Sequence, residues 1–277
     1  DRHHRPAGAL VIRGLIGLAL MAAPAWADAP ARVVSINLCT DQLAMLVAAP
    51  GQLASVSYLA QDPVSSAMAR EAAAYPTNRG QAEDIQALQP DLVLAGTYSS
   101  PATLDMLDRL GLRVATFDMG TDLDSIRTNL RLMGDVLSRR DNADRIVAQF
   151  DRDLAALQAD PRPDRRAALY GANGYSSGQD SLAGAILAAA GLTNVATELG
   201  LSQGGFVPLE DLVMADPDLI VTGQRQPRAS RAEEVMDHPA LRAITPGRQV
   251  VTAPDRDWAC GTPHVLRAVA QLRQVAP

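Results

Sequence analysis

Short apolar runs typical of β-strands alternate along the chain with stretches whose apolar residues recur at helical spacing. The predicted strands of the first half are residues 32–37, 53–58, 91–96 and 113–118. Those of the second half are residues 166–171, 194–196, 218–223 and 249–253. Strands that alternate with helices along the chain pair in parallel, so the pattern predicts an α/β protein with two Rossmann-like lobes, each with a parallel-sheet core.

A long helical segment separates the two series of strands. Residues 142–159 contain neither Gly nor Pro and place Ile146, Phe150 and Leu154 at helical spacing. A helix of about 18 residues spans roughly 27 Å, which is long enough to join two lobes. Because such a helix is stiff, we expect the two lobes to rock slightly against each other and not to close widely. The same pattern also fits a surface helix of a single domain. The predicted units are an N-terminal lobe over 28–121, a helical connector over 122–163 and a C-terminal lobe over 164–277.

One motif occurs in both halves of the chain. Residues 83–93 read Glu-Asp-Ile-Gln-Ala-Leu-Gln-Pro-Asp-Leu-Val, and residues 210–220 read Glu-Asp-Leu-Val-Met-Ala-Asp-Pro-Asp-Leu-Ile. A Glu that opens a short helix suits the helix dipole, and a Pro stops that helix before the next strand. The duplication therefore predicts that the two lobes are equivalent units.

The first residues have the features of an export signal. Arg2, Arg5 and Arg13 precede the apolar run 15–23, and residues 25–27, Ala-Trp-Ala, supply the small residues of a cleavage site. The run is far shorter than the roughly 20 residues of a membrane-spanning helix. We therefore expect residues 1–27 to be a signal peptide cleaved before Asp28, and the mature protein to be periplasmic without membrane insertion.

Charge and cysteine content narrow the function further. The formal net charge of −6 disfavours nucleic-acid binding, and the absence of Lys excludes Schiff-base chemistry.

Cys39 follows the first predicted strand and Cys260 follows the last. In an oxidising compartment this pair predicts a disulfide that tethers the lobes. Two reduced cysteines, or thiolate ligation of a metal with His264, remain alternatives.

Several motifs together resemble the periplasmic binding proteins of ABC importers for cobalamin and ferric siderophores. The resemblance is carried by the opening Arg-Val-Val-Ser-Ile-Asn at 32–37, the duplicated Glu to Pro-Asp-Leu motif, the single helical connector and Ser177-Gly178-x-x-Ser181. It implies two lobes joined by a single long α-helix, with a bulky metal chelate captured between them. It also implies that a monomeric carrier docks Glu83 and Glu210 on a permease dimer, where paired acidic residues orient the encounter.

Aromatic residues are scarce, at 4% of the chain, yet most of those in the mature protein follow predicted strands. In folds of this kind ligands bind beyond the carboxyl ends of the strands, where flat rings suit a corrinoid, a ferric siderophore or haem. Tyr oxygen also ligates ferric iron in some haem proteins, which keeps a haem carrier open as an alternative. The predicted ligand-binding residues are Tyr58, Tyr98, Tyr175, Phe206, Trp258 and Arg256, and further candidate arginines are Arg79, Arg225 and Arg228. We expect no resident cofactor.

Three other functions fit parts of the sequence. Residues 174–178, Gly-Tyr-Ser-Ser-Gly, match the nucleophile elbow of serine hydrolases, with Asp216 or Asp237 and His264 following in hydrolase order. The predicted strand ends several residues before Ser176, and no oxyanion-type glycine segment precedes it, so we expect no enzyme. A carrier of bare zinc or manganese needs several His ligands, whereas only His238 and His264 follow residue 27, so no protein-held metal site is predicted. A sensor or adhesin of the same fold would have the same sequence features.

Overall fold

The computed structural model describes residues 29–161, 163–224, 231–244 and 249–275. The predicted signal peptide, Arg225 and Arg228 lie outside these residues. In the N-terminal lobe, five parallel strands form a sheet in the order β3-β2-β1-β4-β5. Their bounds are β1 Val33–Ser35, β2 Leu53–Ser57, β3 Thr77–Asn78, β4 Leu92–Gly96 and β5 Val114–Phe117. The helices of this lobe are α1 Leu38–Val47, α2 Ala69–Ala72, α3 Ala82–Ala87 and α4 Pro101–Arg109.

The C-terminal lobe contains a second parallel sheet, in the order β11-β10-β6-β8, and a two-stranded antiparallel ribbon of β7 and β9. Its strands are β6 Arg165–Leu169, β7 Tyr175–Ser177, β8 Leu192–Asn194, β9 Gly204–Phe206, β10 Leu219–Gly223 and β11 Gln249–Ala253. Its helices are α7 Leu182–Ala190, α8 Val195–Glu198, α9 Leu209–Ala215, α10 Pro239–Ile244 and α11 Val265–Val275. The predicted fold class, two α/β lobes with parallel-sheet cores, is confirmed.

One predicted strand was placed too late in the sequence. Residues 194–196 were expected to be extended, but β8 ends at Asn194 and α8 begins at Val195. The Asn194 side chain accepts a hydrogen bond from the Ala196 backbone N–H at 3.0 Å and so caps the helix. Capping therefore overrides the β propensity of Val195.

The duplicated motif has the same structure in both lobes. It forms α3 and then β4 in the first half, and α9 and then β10 in the second. Gln89 and Asp216 end the two helices in the left-handed conformation, with φ of 48° and 49°. Asp91 accepts hydrogen bonds from Ala31 N and Arg32 N, and Asp218 accepts one from Arg166 N. The Pro-Asp-Leu triplet thus attaches each motif strand to the start of the neighbouring central strand.

The predicted connector region contains two helices, α5 Leu123–Val136 and α6 Arg140–Gln158, and α6 is the long helix expected between the lobes. Asp122 and Ser125 form a capping box at the start of α5. The 19-residue α6 is about 28 Å long at 1.5 Å per residue, and it packs against α1 of one lobe and against α7 and α11 of the other. The lobe boundaries at 121 and 163 remain predictions.

One hydrophobic cluster runs through both lobes and the connector. It includes Leu94 of β4, Phe150 of α6, Ile186 of α7 and Val269 of α11, all buried. Separating the lobes would expose this shared core to water, which disfavours wide hinge motion. No helix among the described residues is long and apolar enough to cross a membrane.

Candidate ligand-binding site

Segments that follow the carboxyl ends of strands in the two lobes meet at a groove, and this junction is called the crevice below. Cys39, shortly after β1, and Cys260, shortly after β11, are bonded as a disulfide with a Cα–Cα distance of 5.2 Å. Arg256, also after β11, donates a hydrogen bond to the Pro63 carbonyl in the segment after β2, at 3.3 Å. Segments that leave the carboxyl ends of strands in one lobe therefore contact those of the other, which is where α/β folds place their ligands.

Tyr58 and Arg79 form one side of this crevice. Tyr58 follows β2 directly and is 53% exposed, and Arg79 follows β3 directly. The Arg79 guanidinium carbon lies 5.6 Å from the Tyr58 ring centroid, which is the geometry of a cation–π contact. The pair presents an aromatic surface and a positive charge together.

Tyr98 follows β4 in the same lobe and is 80% exposed. The turn that carries it is closed by a hydrogen bond from Ser99 N to the Gly96 carbonyl at 2.9 Å. Among the described residues no ring contact joins Tyr98 to another aromatic side chain. Its phenol therefore lies on the protein surface beside the carboxyl edge of the sheet.

Tyr175 and Phe206 lie together on the β7–β9 ribbon of the second lobe. They are directly opposite in the register, and their ring centroids are 5.7 Å apart in an edge-to-face arrangement. Their exposed fractions are 46% and 70%. The Tyr175 carbonyl accepts a hydrogen bond from Gly171 N, two residues after β6, which places the ribbon beside the carboxyl end of that strand. Both residues were predicted as ligand-binding residues from the sequence, but their contact was not.

A groove of about 340 Å³ lies where the two lobes meet. It is lined by Arg256, Arg70, Glu71, Asp257 and Arg267, together with small residues between 63 and 69. Arg267 donates to the Ala67 carbonyl at 3.3 Å and pairs with Asp257 at 3.5 Å. Of these residues only Arg256 was predicted to bind ligand. The others were missed because contacts between segments far apart in sequence leave no local pattern.

Trp258 is less accessible than its position after β11 suggested. It is half-buried and packs against the hydrophobic core, and its indole Nε1 has no hydrogen-bond partner among the described residues. His264 follows six residues later, and burial together with Arg267 lowers its pKa to about 4. Its imidazole is therefore neutral at physiological pH.

Glu83 and Glu210 occupy equivalent, exposed positions in the first turns of α3 and α9. Both carboxylates are thus available to a partner. One large hydrophobic side chain, Met214, is also exposed in α9, one turn after Glu210.

The geometry required for a serine nucleophile is not present at Ser176. This residue is buried inside β7, opposite Gly205 of β9, and the next helix, α7, begins only at Leu182. A nucleophile elbow needs a sharp strand-to-helix turn that exposes the hydroxyl. Within the described ranges, no group of three or more His, Cys, Asp or Glu side chains is arranged to hold a metal ion.

A larger cavity, of about 750 Å³, lies at the turn between α5 and α6. Asn142 lines it and donates a hydrogen bond to the carbonyl of Val47, the last residue of α1, at 2.8 Å. Asn37 caps the opposite end of α1, which is the end at the crevice. The cavity is therefore remote from the aromatic residues and its size alone does not make it the binding site.

Comparison with known proteins identifies relatives along most of the chain. The "Cobalamin-binding protein" of Halobacterium salinarum is 29% identical over 147 residues, which covers 51% of this chain and 40% of that protein. The chain thus matches less than half the length of this relative. The "Vitamin B12-binding protein" of Yersinia pestis is 26% identical over 254 residues, covering 90% of this chain and 87% of that protein.

Solved structures share the fold. The periplasmic heme-binding protein RhuT from Roseiflexus sp. RS-1 superposes with a TM-score of 0.73 at 20% identity, over 89% of this chain and 99% of that one. A family model described as periplasmic binding protein matches residues 33–255. With two parallel-sheet lobes, a crevice where they meet and this match over most of its length, the chain belongs to the periplasmic binding protein family.

Proposed function

We propose that this protein is the substrate-binding component of an ABC importer, which captures a bulky metal chelate between its lobes and delivers it to the permease. The observation that carries the proposal is the set of exposed rings beside the carboxyl edges of both sheets. Tyr58 and Tyr98 come from one lobe, and Tyr175 and Phe206 from the other. Exposed apolar side chains that lie together, as Tyr175 and Phe206 do, often mark a ligand-binding surface, whereas single exposed side chains need no such explanation.

A chelate fits this surface better than a bare ion. Rigid aromatic rings bury a large area with few rotatable bonds, which suits a flat macrocycle or an aromatic chelate. A bare ion instead needs a cluster of oxygen, nitrogen or sulfur ligands. Both cysteines are bonded to each other, and within the described ranges no group of three or more His, Cys, Asp or Glu side chains is arranged to hold a metal ion.

The cargo is proposed to be cobalamin or a ferric siderophore, with haem as the second candidate. The names of the Halobacterium and Yersinia relatives support a corrinoid. The exposed phenol of Tyr98 and the structural likeness to the heme-binding RhuT support haem, because a Tyr oxygen ligates ferric haem iron in some proteins. Arg79 and Arg256, beside the crevice, suit cargo that carries carboxylates.

Delivery to the permease is proposed to depend on Glu83 and Glu210. Their equivalent positions in a duplicated motif suit a permease dimer with two equivalent docking sites, and exposed charges act mainly by orienting the encounter. In this proposal the carrier is a monomer without catalytic activity, and it is periplasmic after cleavage before Asp28.

Binding of defined probes to the mature protein tests the proposal. Trp258 is the only Trp after residue 27 and lies two residues before Cys260 of the interlobe disulfide, so its fluorescence is a single-site signal close to the crevice. Titration with cyanocobalamin, haemin and a ferric hydroxamate should show quenching by at least one probe with a Kd below about 10 μM. If all three fail at that concentration, the chelate proposal is wrong. Transport requires a separate assay, because a sensor of the same fold would also bind.

A further inference from the structure

A buried carboxylate holds the residue that precedes Tyr58. Asp41 lies in the first turn of α1 with its side chain fully buried. One carboxylate oxygen accepts a hydrogen bond from Ser57 N at 3.0 Å, and the other accepts one from Ser57 Oγ at 2.5 Å. Ser57 ends β2. Asp41 therefore fixes both the backbone and the side chain of the residue before the tyrosine.

A second buried polar residue holds the segment that carries Arg79. Asn78 Nδ2 donates to the Ser35 carbonyl at 2.9 Å and to Ser55 Oγ at 3.0 Å, and its Oδ1 accepts from Gly80 N at 3.1 Å. Both neighbours of Arg79 are thus tied to this network. The cation–π pair of Arg79 and Tyr58 is built on two anchored segments.

The surroundings of Asp41 contain no compensating charge. The adjoining strands β1, β2 and β4 contain no titratable residue. Helices α5 and α6 bury only apolar residues and Asn129 on their inner faces. The segment after β2 contributes only the exposed phenol of Tyr58. The segment after β11, joined to α1 by the Cys39–Cys260 disulfide and by the hydrogen bond between Thr262 and Gln42, carries Asp257 and His264, but neither is among the groups that shift the pKa of Asp41. Burial accordingly raises the pKa of Asp41 to about 6, against the lowering effect of hydrogen bonds from Ser35 and Ser57.

We propose that Asp41 is a positioning residue for ligand binding, which acts through Ser57 to hold Tyr58 against the Arg79 guanidinium. This inference rests on the proposed function, since it takes Tyr58 as part of the ligand-binding surface. An ionised carboxylate accepts both hydrogen bonds from Ser57. A protonated one has a hydroxyl in place of one acceptor, so Ser57 Oγ must turn from donor to acceptor and its hydrogen bond to Asp41 is no longer assisted by charge. Tyr58 then loses part of its support. Acidification through about pH 6 therefore weakens binding.

The first test needs no ligand. The mature protein is labelled with ¹³C-tyrosine, and the Tyr58 ring signal, assigned by its loss in Tyr58→Phe, is followed by NMR from about pH 4.5 to about pH 8. The wild type should show a transition with a midpoint near pH 6, and Asp41→Asn should abolish it. Asp62→Asn is the matched control. Asp62 is close in sequence, but its carboxylate accepts from Ser65 Oγ, so the transition should persist.

A second variant decides the outcome even if Asp41→Asn does not fold. Ser57→Ala removes one hydrogen bond to the ionised carboxylate and should move the midpoint to higher pH. The proposal is overturned if the wild type shows no transition, if the transition survives in Asp41→Asn, or if Ser57→Ala leaves the midpoint unchanged.

The second test measures affinity for cyanocobalamin and haemin at about pH 7.5 and about pH 5. For a probe that binds, wild-type affinity should fall by up to about tenfold at the lower pH, the loss expected when a hydrogen bond to a charged group is removed. Asp41→Asn should have the lower affinity at both pH values. If these two probes and the ferric hydroxamate all fail to bind but Tyr58 titrates as expected, the proposed function fails and only the anchoring of Tyr58 by Asp41 stands. If wild-type affinity is independent of pH while Tyr58 titrates, the positioning role is wrong.

Discussion

At the residue scale, the aromatic pair on the ribbon depends on a position that has no room for a side chain. Gly204 has a φ of 154°, and a Cβ there would lie 2.5 Å from the Tyr175 hydroxyl oxygen. The Tyr175 ring therefore lies along the backbone of β9, next to Phe206. Neither the contact nor the need for Gly is visible in the sequence, where Gly204 and Gly205 read as a loop.

Replacing Gly204 by Ala should displace Tyr175 and weaken probe binding by about tenfold, with about 1–3 kcal/mol lost from the free energy of unfolding through backbone strain. Gly223→Ala is the control, because a Cβ there meets no atom within 4 Å. Fluorescence titration and urea unfolding of both variants check the prediction. Equal behaviour of the two variants would contradict the close packing of Tyr175 on the ribbon.

Two buried titratable groups have opposite effects on stability in the same pH range. Burial raises the pKa of Asp41 to about 6, so its stabilising contribution is complete below its unfolded value and is lost as pH rises through about 6. Burial and Arg267 lower the pKa of His264 to about 4, so its contribution is complete above its unfolded value and is lost as pH falls towards 4. Between about pH 4 and pH 6 the folded chain holds one proton on Asp41 and the unfolded chain holds one on His264. The two contributions to the pH dependence of stability therefore cancel in this range.

Single substitutions should reveal the two opposing slopes. Asp41→Asn leaves the His264 effect, so the free energy of unfolding should fall on acidification by up to about 1.4 kcal/mol per pH unit between about pH 6 and pH 4. His264→Gln leaves the Asp41 effect and should give a slope of the opposite sign. Urea unfolding of the three proteins at several pH values measures the slopes. Parallel profiles for both variants would contradict the assignment.

At the element scale, strands and helices with strong local patterns were predictable, and those made by tertiary contacts were not. Strand β10 was predicted to within one residue, as 218–223 against the observed Leu219–Gly223, because Pro217 and Gly223 bound an apolar run. The ribbon strands β7 and β9 were missed, since three residues rich in Ser or Gly show no alternation. The duplicated motif was recognised, but only the structure shows that Asp91 and Asp218 bind backbone N–H groups.

The acidic residues of the motif should therefore separate into two classes. Asp91→Ala and Asp218→Ala remove charge-assisted hydrogen bonds and should each lower the free energy of unfolding by about 1–3 kcal/mol, without direct effect on cargo affinity. Glu83→Ala with Glu210→Ala removes only the interaction of each carboxylate with its helix dipole and should cost less than about 1 kcal/mol per site. This variant should leave cargo affinity unchanged and reduce uptake by cells that carry the matching permease. Urea unfolding, fluorescence titration and uptake of labelled cargo measure these properties. Loss of cargo affinity in the Glu variant would contradict docking.

At the scale of the whole molecule, the lobes are joined by more than the connector. The shared core, the Cys39–Cys260 disulfide and the hydrogen bond from Arg256 to Pro63 all cross between them. The disulfide was predictable from cysteine count and compartment, and the strand-exit positions of Tyr58 and Tyr98 followed from the rules of parallel sheets. The groove lined by Arg70 and Arg267 was not predictable, because it exists only once the lobes meet.

Removing the disulfide should loosen this junction. Cys39→Ser with Cys260→Ser opens a long covalent loop and should lower the free energy of unfolding by about 2–5 kcal/mol. Cargo should also dissociate faster, because the crevice is less restrained. Urea unfolding and stopped-flow fluorescence measure both effects, with reduced wild-type protein as a comparison. An unchanged dissociation rate would mean that the connector and the core alone set the width of the crevice.

The central claim is that one cargo molecule contacts the aromatic residues of both lobes. The most direct measurement compares equilibrium titrations of three variants with the best-binding probe: Tyr58→Ala in one lobe, Tyr175→Ala with Phe206→Ala in the other, and Met214→Ala as an exposed control away from the crevice. Each crevice variant should lose at least about tenfold in affinity, since each removes aromatic contact area, while the affinity of the control should be unchanged. If affinity falls for the variant of only one lobe, or for neither variant, binding between the lobes is contradicted.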